Sequence, residues 1–367
     1  MTSITSDPRT PVAIRAARDE ATGFVIMTVL LLLVPFSNIY PFFVMQALCF
    51  ALFACAFNLL IGYGGLLSFG HAMFLGTAGY VSAHASKEWG FPPEFAILTG
   101  AAASFVLAVI TGYVAIRRLG IYFAMITLAL SQLIYFIYLQ APFTHGEDGI
   151  QGVPQGKMFG FLDLSNSTVL YYVVLGVFLI GFLIVYRAIN SPFGEVLKSI
   201  RENEPRAISL GYKADQYKLL AYILSGTLAG LAGGMKVFVA QNASLTDVHW
   251  MMSGEVVLMT LIGGLGTIFG PVVGAWLIKY FENIFSAINT NMLNNFFSFL
   301  PDGVQSFVVT VLSKFVGEGW HLTLGLMFVL IVVFLPGGLV EGFQRLMARL
   351  KRRKAVPDGA TSVQPAE

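Results

Sequence analysis

Residues 191–211 read SPFGEVLKSIRENEPRAISLG, and apolar runs flank them on both sides, 168–189 and 217–240. A helix needs about 20 mainly apolar residues to cross a bilayer. A charged stretch lodged between two such runs therefore reads as a connection exposed at a membrane surface. Ser191-Pro192 is a helix start, with a hydroxyl at the N-cap, Pro at the first helical position and Glu195 in the first turn. Phe193, Val196, Leu197 and Ile200 recur at helical spacing and form one apolar face, with Lys198, Arg201, Glu202 and Glu204 towards the other. Pro205 breaks or restarts the helix, and Ala207, Ile208 and Leu210 lead to Gly211, a plausible C-cap. The polar face mixes both signs of charge. An amphipathic helix on anionic lipid favours a basic face, so a protein partner suits this one better.

Working outward, composition sets the solvent. The chain is 56% apolar and 11% charged, with a mean hydropathy of +0.74. Soluble domains carry about 25% charged residues, so this chain lacks the polar surface to stay in water. The expected fold is all-α: a polytopic integral membrane protein of about ten transmembrane helices with cytoplasmic coupling helices. The qualifying runs are 22–38, 41–61, 67–86, 93–116, 119–139, 168–189, 217–240, 253–265, 267–288 and 320–340, the first and eighth being short. The expected division is a cytoplasmic tail over 1–21, a transmembrane domain over 22–345 with an external loop at 140–167 and a cytoplasmic segment at 190–216, and a tail over 346–367.

Charge placement orients these runs. With the N-terminus inside, the cytoplasmic segments collect seventeen of the 22 Lys and Arg residues, and only Lys87, Lys157 and Lys314 fall outside. Both termini are expected in the cytoplasm, and Lys351-Arg352-Arg353-Lys354 reads as a topology anchor at the inner leaflet rather than a nucleic-acid patch. Residues 355–367 read as a disordered tail. Cys49 and Cys55 sit inside one apolar run at neither redox nor zinc spacing, as small fillers of a span.

Two glycine clusters interrupt the spans. Residues 61–80 include Gly62, Gly64, Gly65, Gly70, Gly76 and Gly79, with Ser68 and His71 among them. Residues 261–274 hold Gly263, Gly264, Gly266, Gly270 and Gly274. Such clusters serve either close helix packing or broken helices along a translocation path. Both readings stand, and Gly64, Gly65, Ser68, Gly70, His71, Gly263, Gly264 and Gly266 are the candidate path residues. Among ionisable groups near the interior, Lys279 and Glu282 are three apart and can pair; Glu255 and Lys236 are the others. No carboxylate chain of the kind a proton- or sodium-coupled carrier uses is evident.

Several motifs together carry a family resemblance. Arg201-Glu202-Asn203-Glu204-Pro205-Arg206-Ala207-Ile208-Ser209-Leu210-Gly211-Tyr212, Gly62-Tyr63-Gly64-Gly65-Leu66-Leu67-Ser68-Phe69-Gly70-His71, Tyr122 to Ala129, Gly263 to Thr267 and Phe334 to Leu339 resemble the permeases of branched-chain amino acid ABC transporters. The likeness spans roughly residues 25–345. It implies that Glu202, Asn203, Glu204, Arg206, Ala207 and Gly211 belong to a segment seated in a groove of an ATPase subunit. In the general ABC pattern, Glu-Ala-Ala precedes Gly by three residues; counted back from Gly211, Pro205 holds the glutamate position and Glu204 lies one residue earlier. The external loop departs from the family's Gly-rich segment at His145-Gly146-Glu147-Asp148-Gly149, which reads as a polar turn facing a delivery protein.

The resemblance implies a bacterial inner-membrane protein that is not itself an enzyme and binds no cofactor. ATP and Mg act through two partner ATPases, beside a second, related permease subunit, a periplasmic substrate-binding protein and membrane lipid, with no nucleic acid. No P-loop occurs: Gly156-Lys157 is followed by Met158. Energy would therefore arrive from outside this chain. Branched-chain amino acids are the family's usual cargo, with urea, short amides and aromatic acids as alternatives. An ATP-independent channel or facilitator for a small neutral solute is the rival reading, and it leaves the docking segment without a purpose.

Overall fold

In a bilayer the backbone finds no water to bond, so apolar runs satisfy their own N–H and C=O groups as helices. The computed structural model describes residues 11–36, 40–118, 120–288, 290–297 and 305–342, apart from 306, 307, 311, 314, 316, 336 and 341. The helices are α1 (Pro11–Leu33), α2 (Pro41–Asn58), α3 (Ala72–Lys87), α4 (Pro93–Ala115), α5 (Ile121–Gln140) and α6 (Ser167–Ile189). They continue as α7 (Pro192–Glu202), α8 (Glu204–Ser209), α9 (Ala214–Ala240), α10 (Trp250–Gly263), α11 (Gly270–Ala287), α12 (Thr290–Phe296) and α13 (Trp320–Phe334).

The all-α expectation holds, with one adjustment to the spans. Each of the ten expected runs contains a helix. Among the described residues, five helices are long and apolar enough to cross a membrane: Pro41–Tyr63, α4, α5, α6 and α9. The other apolar helices are shorter, including Thr22–Phe36, α10 and Leu322–Phe334. α1 begins at Pro11, inside the expected tail, because residues 11–21 are rich in helix-forming Ala and Arg. Residues 1–10, Pro336 and the expected basic and disordered tail over 346–367 lie outside the described residues.

α9 is the central post, packed against α2, α3 and α4. Small residues allow the approach: a Cβ on Gly233 would lie 2.0 Å from the Leu75 carbonyl oxygen, and one on Gly230 would lie 2.4 Å from Ser104 Cβ. Phe53, Phe57, Phe74, Phe123, Tyr222 and Phe238 fill the space around the post and are fully buried. Cys49 and Cys55 are buried in this core as free thiols, in the filler role expected for them.

At the end of α9 remote from α7, short strands close the loops. β1 (Ile150–Gln151) pairs antiparallel with β4 (Asn242–Ala243), and β2 (Lys157–Met158) pairs with β3 (Leu162–Asp163). The 140–167 loop and the exit of α9 therefore share one end of the bundle, here the far end. His145 and Gly146 have positive φ and make the polar turn. No group of metal-ligating side chains forms among the described residues.

Candidate functional site

The 191–211 segment folds as two helices rather than one. Pro205 falls in the first turn of α8, so the chain restarts at Asn203, whose Oδ1 accepts from the Arg206 N–H at 3.1 Å. Ser191 stands at the N-cap position of α7 but does not cap: its hydroxyl turns back and donates to the Ala188 carbonyl at 2.7 Å. The close seat of Gly194 against Ile189 brings the chain around that tightly. Gly211, at φ 91°, ends the second helix as expected of a C-cap.

The apolar face of α7 is consumed within the chain. Leu197 and Ile200 are buried, Phe193 stacks on Tyr217 at 6.0 Å, and Ile200 packs with Ala207 and Ala214. Glu204 is also spent internally: it pairs at 2.5 Å with Lys218, itself buried on α9. Among the residues left on the outside are Glu202, Asn203, Arg206 and an apolar knob, with Ile208 54%, Leu210 70% and Tyr212 41% exposed. The sequence reading took Ala207, Ile208 and Leu210 as one apolar continuation to Gly211; that Ile208 at the end of α8 and Leu210 just past it are exposed is what it missed.

Both glycine clusters meet this segment. α2 runs through a π turn, Leu59–Tyr63, into residues 64–71, which are not helical up to the start of α3. Arg201 of α7 donates its guanidinium to the Gly62 carbonyl. Gly65 (φ 68°) lies against the Arg201 side chain, where the left-handed backbone and a 3.0 Å clearance both call for glycine. Gly64 packs near Leu197. From the second cluster, Gly266 N–H donates to Asn58 Oδ1 at 3.0 Å, and Asn58 Nδ2 donates to the Thr267 carbonyl at 2.9 Å. Two turns, one from each half of the chain, are thus clamped together beside α7. Gly264 sits in the same turn against Gly337.

The two clusters otherwise differ. Gly263 is a packing glycine: a Cβ there would lie 1.9 Å from the Gly270 carbonyl oxygen, where α10 and α11 turn back on each other. The first cluster instead interrupts a span. Residues 64–71 climb from the α7 end to the level of Ser225, eleven residues or about 17 Å up α9. Along this climb Ser68 is buried and Gly70 presses on the Thr127 carbonyl. His71 closes the climb, fully buried among Phe53, Phe57, Phe74 and Tyr222. Its Nε2 lies 2.7 Å from Ser225 Oγ, which gives its own proton to the Ala56 carbonyl, so the imidazole N–H is the donor. α3 therefore starts in mid-bundle, its Ala72 N–H held by Ser253 Oγ at 2.9 Å.

Beside this mid-bundle start, towards the far end, a cleft of about 760 Å³ opens between α2, α9, α10, α11 and α13. Phe69 from the climbing segment forms part of its wall. Lys279 pairs as expected with Glu282 at 2.7 Å, and also reaches Glu255 on α10 at 2.7 Å. Lys236 pairs with Asp247. The five groups line one cavity. The sequence reading saw no such chain of carboxylates: Asp247 lies in a connecting turn, and pairing across helices has no signature in residue spacing.

The geometry is that of a helical membrane protein with an interrupted span, a charged cleft on one side of it and a surface segment tied to its turns on the other. A family model described as the branched-chain amino acid transport system / permease component matches residues 39–335. The chain belongs to this permease family. It is an integral membrane protein of a transport family rather than a catalytic enzyme. The permease is 27% identical over 251 residues to the high-affinity branched-chain amino acid transport system permease protein LivM of Salmonella typhimurium, covering 60% of this chain and 57% of that one. The LivM protein of Escherichia coli is 26% identical over 250 residues, with the same coverage. An autoinducer 2 import system permease protein, LsrC of Salmonella paratyphi B, is 26% identical over 148 residues, 38% of this chain and 41% of that one. The matched region thus spans little more than half the length of these LivM relatives. No solved structure matches the permease.

Proposed function

We propose that this permease is the membrane subunit of an ATP-driven importer for a small solute, branched-chain or related amino acids first among them. It works at the bacterial inner membrane by alternating access, with its ten helical runs traversing the bilayer and both termini in the cytoplasm. Two ATPase subunits, which bind the ATP and Mg, seat the segment formed by Glu202, Asn203, Glu204, Arg206, Ala207 and Gly211. A second, related permease completes the pathway, and a periplasmic binding protein delivers the solute at the 140–167 end.

The observation that carries this reading is the exposed knob of Ile208, Leu210 and Tyr212 on a segment whose own apolar face is already buried. Exposed apolar groups ringed by charge are what a protein groove takes up. Through Arg201 and Gly62 the same segment is tied to the turns of both glycine clusters. A push on α8 therefore has a rigid route to the interrupted span. In this reading Gly64, Gly65, Ser68, Gly70, His71, Gly263, Gly264 and Gly266 are the hinge and wall of the path.

Co-purification with the candidate ATPase tests it. Wild type is expected to retain the ATPase, and the double variant Ile208→Glu, Leu210→Glu to lose it while staying monodisperse. Solute uptake that continues in vesicles with no ATPase bound and no ATP present rejects the importer in favour of a facilitator.

A further inference from the structure

The cleft between α2, α9, α10, α11 and α13 has an unbalanced charge. Its ionisable lining is Lys236 and Lys279 against Asp247, Glu255 and Glu282, one more carboxylate than ammonium; His249 is the remaining titratable group on its wall. Lys279 is 7% exposed and divides its single charge between two carboxylates, at 2.7 Å each. Both lysines also face the ring of Phe50, Lys279 at 3.6 Å and Lys236 at 5.4 Å from its centre. A surplus carboxylate in a low-dielectric cleft is costly unless a cation joins it. Apart from Gln46 and Thr246 the remaining walls, among them Trp250, Met251, Leu258 and Phe328, are apolar.

We infer that this cleft is a binding site for the primary ammonium group of the transported solute, with Glu255 and Glu282 as its acceptors and the apolar walls receiving the hydrocarbon part. The inference rests on the importer reading and deepens it: the permease itself selects its cargo, in addition to any delivery protein. Three features favour an organic ammonium. The carboxylates stand on two different helices, so a group bound between them bridges α10 and α11. Phe50 already presents its ring face to ammonium groups, which aromatic faces attract. The cleft also opens beside Phe69, which belongs to the climbing segment that leads into α3.

The test uses the assembled permease–ATPase complex in lipid nanodiscs, without the delivery protein. Three probes are titrated by calorimetry: leucine, 3-methylbutylamine, which lacks the carboxylate, and 4-methylpentanoate, which lacks the amine. Leucine and 3-methylbutylamine are expected to bind, and 4-methylpentanoate to bind about tenfold more weakly or worse, the loss of one charge-assisted bond. Glu255→Gln and Glu282→Gln are expected to weaken the amine by a similar factor while still retaining the ATPase. Equal binding of the amine and the acid, or binding of neither by a complex that holds its ATPase, overturns the inference and leaves the importer reading intact. Should Glu255→Gln not assemble, Glu282→Gln, whose side chain is 29% exposed, and the wild-type probe comparison decide. Failure of wild type to hold an ATPase counts against the importer reading instead, and the probe comparison on the permease alone still decides the site.

Discussion

Arg201 and Gly62 are joined by a hydrogen bond from a surface guanidinium to a backbone carbonyl in the π turn that ends the α2 span. A π turn already carries poorer hydrogen-bond geometry than the α-helix around it, and such turns occur often at functional sites. In the importer reading, a charged donor placed on its carbonyl fixes the turn while the 191–211 segment stays put, and releases it when the segment moves. Arg201→Met keeps the methylene packing against Gly65 and removes the donor. The expected outcome is an ATPase that stays bound and hydrolyses ATP while solute transported per ATP falls severalfold. A variant with normal coupling would leave the bond a structural detail.

Asn58 does the corresponding work between the two glycine turns, donating to Thr267 and accepting from Gly266. It is 2% exposed, and Asn58→Ala leaves the N–H of Gly266 and the C=O of Thr267, both half-buried, without their partner. A fully buried orphan costs about 1–3 kcal/mol, and a half-buried one less. Thermal unfolding of the purified permease is expected to shift down by several degrees. Asn58→Asp keeps the acceptor but places a carboxylate in the interior, and is expected to be no better than Ala.

How far the sequence could foresee this follows from the range of each interaction. Helical periodicity placed Leu197 and Ile200 on one buried face, and Pro205 marked the restart of the chain, because those signals lie within two helical turns. Hydropathy located ten helical runs, and the glycines of 61–80 left packing and a broken helix both open; that residues 64–71 climb in a non-helical form is decided by contacts with α7, α5 and α9, which no local pattern carries. Lys279 was matched to Glu282 on its own helix, whereas Glu255 joins from α10, and no local pattern signals that partner. Glu204 was legible as an acid one residue before the glutamate position of the general ABC pattern, which Pro205 holds, yet its bond to Lys218 spans fourteen residues and a change of helix.

The glycines separate into two kinds that substitution distinguishes. Gly263→Ala and Gly274→Ala would each set a Cβ 1.9 Å from a backbone carbonyl oxygen of the neighbouring helix, and backbone cannot give way cheaply. Both are expected to lower the folded yield sharply, in line with overpacking costs of about 1–3 kcal/mol or more. Gly176→Ala and Gly254→Ala meet nothing within 4 Å and are expected to be silent, or slightly stabilising through helix propensity. The comparison is read from size-exclusion profiles of the four variants expressed side by side.

Orientation is open to a direct chemical reading. Cys49 and Cys55 are 4% and 2% exposed, so a membrane-impermeant maleimide is expected to leave the folded wild-type permease unlabelled in intact cells and in inverted vesicles. That silence removes any need for a cysteine-free background. Leu210→Cys, on the coupling segment and 70% exposed, is expected to label in inverted vesicles and not in intact cells. Phe161→Cys, in the hairpin turn at the opposite end and 75% exposed, is expected to do the reverse. The placement of seventeen Lys and Arg residues in the segments assigned to the inside makes this the favoured sense. Labelling of Leu210→Cys from outside would invert the topology and remove the coupling segment from the reach of any cytoplasmic ATPase, and the importer reading would fall with it.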